Sequence, residues 1–84
     1  MLRSMKYVYL LESISDPNQT YVGLTDDLKG RFEVYNAGGS PHTSKYRPRR
    51  LATYLAFSDE AKAVAFERYL KSASGRAFAK KRLR

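Results

Sequence analysis

Hydrophobic positions alternate early in the chain and then change period. Residues 6–12, KYVYLLE, are rich in β-branched and aromatic types and predict a strand. Tyr7, Tyr9 and Leu11 fall on one face, Val8 and Leu10 on the other. Both faces are apolar, which predicts a strand covered on both sides and central in its sheet. The segment SISDPNQ then supplies Ser, Asp, Pro and Asn, all turn formers. Residues 20–24, TYVGL, predict a second strand, and so short a connection favours an antiparallel hairpin.

From Thr25 the period lengthens. Thr25 or Asp26 can cap a helix by accepting free amide protons, and Asp26 and Asp27 suit its positive start. Leu28, Phe32 and Tyr35 follow at i, i+4 and i+7 as a buried stripe. Gly30 inside that helix costs about 1 kcal/mol relative to alanine, so the element needs tertiary support. Asn36 and Gly38-Gly39 end it. A basic loop, SPHTSKYRPRR, leads to a third strand over residues 51–57, LATYLAF. Ser58 or Asp59 caps a second helix over 59–73, with Ala63, Phe66, Leu70 and Ala73 as its stripe and Gly75 as its breaker. The tail RAFAKKRLR predicts a short last helix with a frayed basic end. The order β-β-α-β-α-(α) describes an α+β fold, a three-stranded antiparallel sheet flanked by helices, in one domain over residues 1–84.

Charge narrows the function. Sixteen Lys and Arg face eight Asp and Glu, a net charge of +8. Such an excess suggests a polyanionic partner, with nucleic acid the leading candidate. A membrane surface fits less well, because no stretch joins a basic face to a broad apolar one. Charge that serves solubility alone is the other reading. The chain has no cysteine, hence no disulfide and no thiolate metal site. No apolar run approaches the roughly 20 residues of a membrane span. The first residues, MLRSMK, lack the apolar core of a signal peptide. The expected compartment is the cytoplasm.

The common catalytic sets are missing. One histidine cannot serve a Ser-His-Asp site or a zinc cluster, and no Gly-rich phosphate loop occurs. Tyrosine, arginine and glutamate remain. Tyr9 and Tyr21 lie on adjacent predicted strands, and matched registers place their phenols side by side. They are either packed core aromatics or a pair of working hydroxyls. Gly23 shares the face of Tyr21, and a strand glycine marks a bulge or a close approach. Arg31 flanks the first helical stripe, as a snorkelling surface arginine or as a bidentate clamp for phosphate. Glu67 borders the second stripe. It forms an i,i+4 pair with Lys71, or offers one carboxylate to a Mg²⁺ ion that keeps several waters.

Taken together, these residues resemble the GIY-YIG nuclease superfamily over Lys6 to Ser74, in particular small stand-alone bacterial members related to the N-terminal nuclease domain of the excision-repair protein UvrC. The first motif falls on Tyr7-Val8-Tyr9 and the second on Tyr21-Val22-Gly23. The family's helix arginine falls on Arg31 and its metal-binding glutamate on Glu67, within AFERYLK. The run HTSKYRPRRLATYLAF is similar to the family's approach to its third strand. Tyr7 stands in place of the first motif's glycine, and valine replaces isoleucine in both motifs. Leu24 stands where UvrC-like members carry lysine. Tyr35 stands where related small members carry histidine, which leaves proton transfer to Tyr21 or to water.

The resemblance implies a DNA endonuclease, acting in repair or recombination, that uses one Mg²⁺ or Mn²⁺ ion per site on double-stranded or branched DNA. By position, Glu67 would ligate the ion, Tyr21 would activate or orient the attacking water with Tyr9 beside it, and Arg31 would hold the scissile phosphate. Gly23, Arg31, His42, Lys45, Arg47, Arg49 and Arg50 are the expected nucleic-acid contacts, joined on the backbone by Lys80, Lys81, Arg82 and Arg84. A homodimer or a partner protein would supply targeting. Two alternatives stand beside this reading: a non-catalytic nucleic-acid-binding module that keeps the fold, and a structural protein whose charge serves solubility.

Overall fold

In the computed structural model, which describes residues 4–36 and 49–84, β1 (Lys6–Ser13) is the middle strand of a sheet ordered β2-β1-β3. β2 spans Thr20–Thr25, β3 spans Arg49–Phe57, and both run antiparallel to β1. The helices are α1 (Leu28–Asn36), α2 (Glu60–Lys71) and α3 (Ala73–Arg82). This is the α+β architecture and element order that the periodicity predicts. Between β1 and β2 the Ser13 amide donates to the Gln19 carbonyl, and Ser13 Oγ accepts from the Asp16 amide at 3.1 Å. The polar turn residues therefore satisfy their own backbone.

β1 is central because each of its faces has a cover. Val8, Leu10, Ala63, Leu70 and Ala79 form one core, with Val22, Leu24 and Phe66 packed against it. Tyr9 and Leu11 form the other, with Tyr21, Leu28, Phe32 and Leu51. Helices α2 and α3 thus cover one side of the sheet and α1 the other. Opposite β1, the register slips between Leu10, which faces Thr53, and Leu11, which faces Leu51. Ala52 is the extra residue of this bulge, so Leu51 falls on the same face as Tyr54, three residues on, while Ala52 packs into the other core.

Two boundaries differ from expectation. The cap of α1 is Asp27, not Thr25 or Asp26: Asp27 Oδ1 accepts from the Gly30 amide at 3.2 Å. Thr25 Oγ1 instead accepts from the Asp27 amide at 3.0 Å and turns the chain out of β2. Asp59 caps α2 as expected, accepting from the Ala61 and Lys62 amides. That helix then stops at Lys71, and the breaker is Ser72, not Gly75. Ser72 closes α2 by donating to the Tyr69 carbonyl, and its Oγ opens α3 by accepting from the Gly75 amide at 3.1 Å. The predicted stripe residue Ala73 is consequently exposed, while Gly75 and Ala79 of α3 are buried.

An acidic clasp closes one end of the sheet. Glu12, buried on β1, accepts from Arg50 Nε and Nη2 at 2.9 and 2.7 Å. Arg84 Nε lies 3.5 Å from the other carboxylate oxygen, and its Nη2 donates to the Pro17 carbonyl. Replacing Glu12 with glutamine is expected to lower stability by about 2 kcal/mol, the range for hydrogen bonds to charged groups. The check is a lower urea midpoint at an unchanged m value. The effect stays moderate because Arg50, with 65% of its side chain exposed, can be rehydrated.

Candidate active site

Tyr9 faces Gly23 across the β1–β2 ladder, and Leu11 faces Tyr21. The two motif tyrosines therefore meet on a diagonal and not as direct partners. Their ring centroids are 6.4 Å apart with planes tilted by 32°, within the reach of aromatic side chains across a ladder. Gly23 explains how the direct partner is accommodated. A Cβ at Gly23 would overlap the Tyr9 hydroxyl and the ring carbon that carries it. The close approach that a strand glycine signals is made by Tyr9 itself, so the glycine of the second motif seats the tyrosine of the first. Tyr9 is buried at 2% exposure, while Tyr21 on the edge strand is partly open.

Two more tyrosines extend this face. Tyr54 is the β3 partner of Tyr9, 51% exposed, and Tyr7 packs on it edge to face at 6.0 Å. Tyr7, which stands in place of the motif glycine, thus packs against Tyr54. Tyr54 is the site-face residue that sequence reasoning missed. Alternation placed it on a strand, but its position beside Tyr9 depends on the β1–β3 register.

Arg31 stands exposed on α1, next to Phe32, which packs into the tyrosine core. Glu67 rises from α2, on the opposite side of the sheet, with its side chain 15% exposed. Its Oε2 lies 2.7 Å from Lys71 Nζ, so the i,i+4 pair is formed. Helix α2 also touches the edge strand β2, and Tyr21 and Lys71 line one common groove there. The sheet edge is therefore where the two sides approach each other.

No three His, Cys, Asp or Glu side chains gather as a metal cage among the described residues. Glu67 is a single carboxylate that already holds one cation, the Lys71 ammonium. A Mg²⁺ ion that keeps its waters and takes ligands from a substrate phosphate needs only one or two carboxylates. The donor set fits that kind of ion. Of the other expected contacts, Arg49 opens β3 opposite Ser13, and Arg50 is engaged by Glu12. His42, Lys45 and Arg47 lie outside the described residues.

The GIY-YIG catalytic domain matches this chain over residues 5–82. The chain therefore belongs to the GIY-YIG family of nuclease domains. A UPF0213 protein of Lacticaseibacillus paracasei is 36% identical over 66 residues, which cover 77% of this chain and 72% of that protein. The structure-specific endonuclease subunit SLX1 homolog of Giardia intestinalis is 34% identical over 65 residues, 73% of this chain and 18% of that protein. No solved structure matches the chain.

Proposed function

We propose that the protein is a metal-dependent endonuclease that hydrolyses DNA phosphodiester bonds, with Tyr9, Tyr21, Arg31 and Glu67 as its working set. The observation that carries this reading is the seating of Tyr9 over Gly23 beside Tyr21. Gly23 leaves the room that the Tyr9 hydroxyl occupies, and this brings the two motif tyrosines together.

Tyr21, the more open phenol, orients the attacking water and accepts its proton. Tyr9 is held rigid in the core and fixes the position of Tyr21 and of the water between strand and solvent. Arg31 presents its planar fork to the non-bridging phosphate oxygens and offsets the charge that develops there. A free phenol has a pKa near 10, so a tyrosine base at neutral pH needs such cations close by. Glu67 would hold Mg²⁺ or Mn²⁺, one ion per site, which would supply Lewis-acid polarisation at the phosphate.

The net charge of +8 supports a DNA substrate. Likeness to a structure-specific endonuclease subunit homolog supports branched or double-stranded DNA, a repair or recombination setting, and targeting through a partner protein. Lys80, Lys81 and Arg82 in the last turn of α3 are suited to backbone phosphates. A second reading, a non-catalytic nucleic-acid-binding module, is favoured by one observation: the Glu67–Lys71 pair is already satisfied.

Plasmid nicking with Mg²⁺ or Mn²⁺ separates the two. Replacing Tyr21 with phenylalanine is expected to slow nicking by about 10²- to 10⁴-fold, the usual contribution of a positioned acid or base. The melting temperature should hold, because the ring stays. Retention of DNA without nicking, under either metal, supports the second reading.

A further inference from the structure

A groove of about 510 Å³ lies between β2 and the α2–α3 pair, on the side of the sheet away from α1. Its size falls in the roughly 300–1,000 Å³ range of sites that hold a small organic group. Its lining has three parts. Lys71, Arg76 and Arg84 bring positive charge from α2, α3 and the segment after α3. Val22 of β2, partly exposed, gives it an apolar wall, and Leu70 and Ala79 lie buried beneath. Asn18 and Gln19 of the β1–β2 turn supply amide donors and acceptors at the rim. No carboxylate is among the described lining residues. Phosphate, an apolar ring and hydrogen-bonding edges are the three parts of a nucleotide, in the same combination.

The groove also reaches the candidate site at the sheet edge. Tyr21 borders it there, although its ring packs into the core on the α1 side, and Lys71, which lines it, is the residue paired with Glu67. Arg76 stands at the far side on the first turn of α3, exposed, where its backbone amide donates to the Ser72 carbonyl. Arg84 is turned to Glu12 and to the Pro17 carbonyl, so it adds to the local field without facing a ligand directly. Arg76 is therefore the cation placed to touch a bound anion.

We propose that this groove is the track of the nucleic-acid strand that leads to Tyr21, one nucleotide long, with its phosphate at Arg76 and its sugar and base against Val22. The proposal rests on the nuclease reading for its direction, from Arg76 toward Tyr21, and on the groove alone for its ligand. It assigns strand contact to α3, on the face of the sheet opposite the helix that carries Arg31.

The test is fluorescence anisotropy of a labelled single-stranded oligonucleotide, in EDTA so that nothing is cut, across a potassium chloride series. Arg76→Glu is expected to weaken binding about tenfold or more at the lowest salt, since a like charge replaces an attractive one. Arg76→Ala is expected to reduce the slope of log affinity against log salt by about 0.7, one phosphate contact on a single strand. Arg76→Lys restores both. Circular dichroism melts of all three variants confirm that each is folded, because Arg76 is exposed and contributes no core atom. Affinity and slope unchanged in Arg76→Glu and Arg76→Ala overturn the groove, even if Glu67-dependent nicking is intact. Binding that depends on Arg76 in a protein that nicks nothing upholds the groove and removes the nuclease reading. Displacement of the oligonucleotide by an equal concentration of a deoxynucleoside monophosphate overturns the strand assignment in favour of a free nucleotide.

Discussion

Replacing Glu67 with glutamine is expected to reduce plasmid nicking by about 10³-fold while the protein stays folded and still binds DNA. The magnitude follows from the role. A Lewis acid at the phosphate contributes several kcal/mol of transition-state stabilisation, and about 4 kcal/mol corresponds to about 10³ in rate. Glutamine keeps the size and one carbonyl oxygen but loses the charge that would hold a divalent ion. The structural loss is small by comparison. The side chain of Lys71 is 56% exposed and its pair with Glu67 is an i,i+4 pair on one helix. Such pairs contribute about 0.3–0.5 kcal/mol. The two effects differ by an order of magnitude, so nicking and melting temperature measured on the same preparation separate them. Arg31→Ala should lower nicking in parallel and, unlike Glu67→Gln, should also weaken DNA binding in EDTA. Equal nicking by wild type and Glu67→Gln would mean that another nuclease does the cutting, and the catalytic reading would then fall.

Local features of this protein were legible in its sequence, and pairings between distant elements were not. The two apolar faces of β1 announced a central strand because burial on both sides is written into one short segment. Asp59 announced a helix start because a cap needs only its own next three residues. Tyr9 and Tyr21 could be put on one face, yet the residue opposite Tyr9 is Gly23, a register set by the turn that Ser13, Asp16 and Gln19 build. Tyr54 joins the tyrosine face through the β1–β3 register that sets it opposite Tyr9, and Leu51 joins it through the bulge at Ala52, which no alternation in LATYLAF marks. Glu12 carries no signal of burial in KYVYLLE. Its burial makes sense only once Arg50 and Arg84 arrive from β3 and from beyond α3. The candidate site follows the same division. Its four residues were named from motif and spacing, whereas the placement of Arg31 and Glu67 on opposite sides of the sheet, and the groove beside Tyr21, needed the assembled fold.

A single added methyl group is expected to cost much of the stability at Gly75. Helix propensity alone points the other way, because alanine is favoured over glycine by about 1 kcal/mol inside a helix. At Gly30 a Cβ would meet the carboxylate of Asp27, which is exposed and can yield, but that carboxylate caps α1, so the propensity gain is offset by the weakened cap. A Cβ at Gly75 would instead overlap the Tyr69 carbonyl oxygen and crowd Leu70 Cα, both backbone atoms at the end of α2. Neither can move without moving the helix. Relief requires α3 to swing away from α2, which breaks the Ser72 bonds that join them and draws Ala79 out of the core. Gly75→Ala is therefore expected to destabilise by about 3 kcal/mol, the upper part of the usual overpacking range. For a domain of this size each kcal/mol corresponds to about 4–8 °C in melting temperature, so a fall of more than about 10 °C is the expected reading. Gly30→Ala, measured alongside, should move the midpoint far less than Gly75→Ala does. A wild-type midpoint for Gly75→Ala would show that the α2–α3 junction yields easily. The groove between that junction and β2 would then be too soft to hold Arg76 in place against a strand.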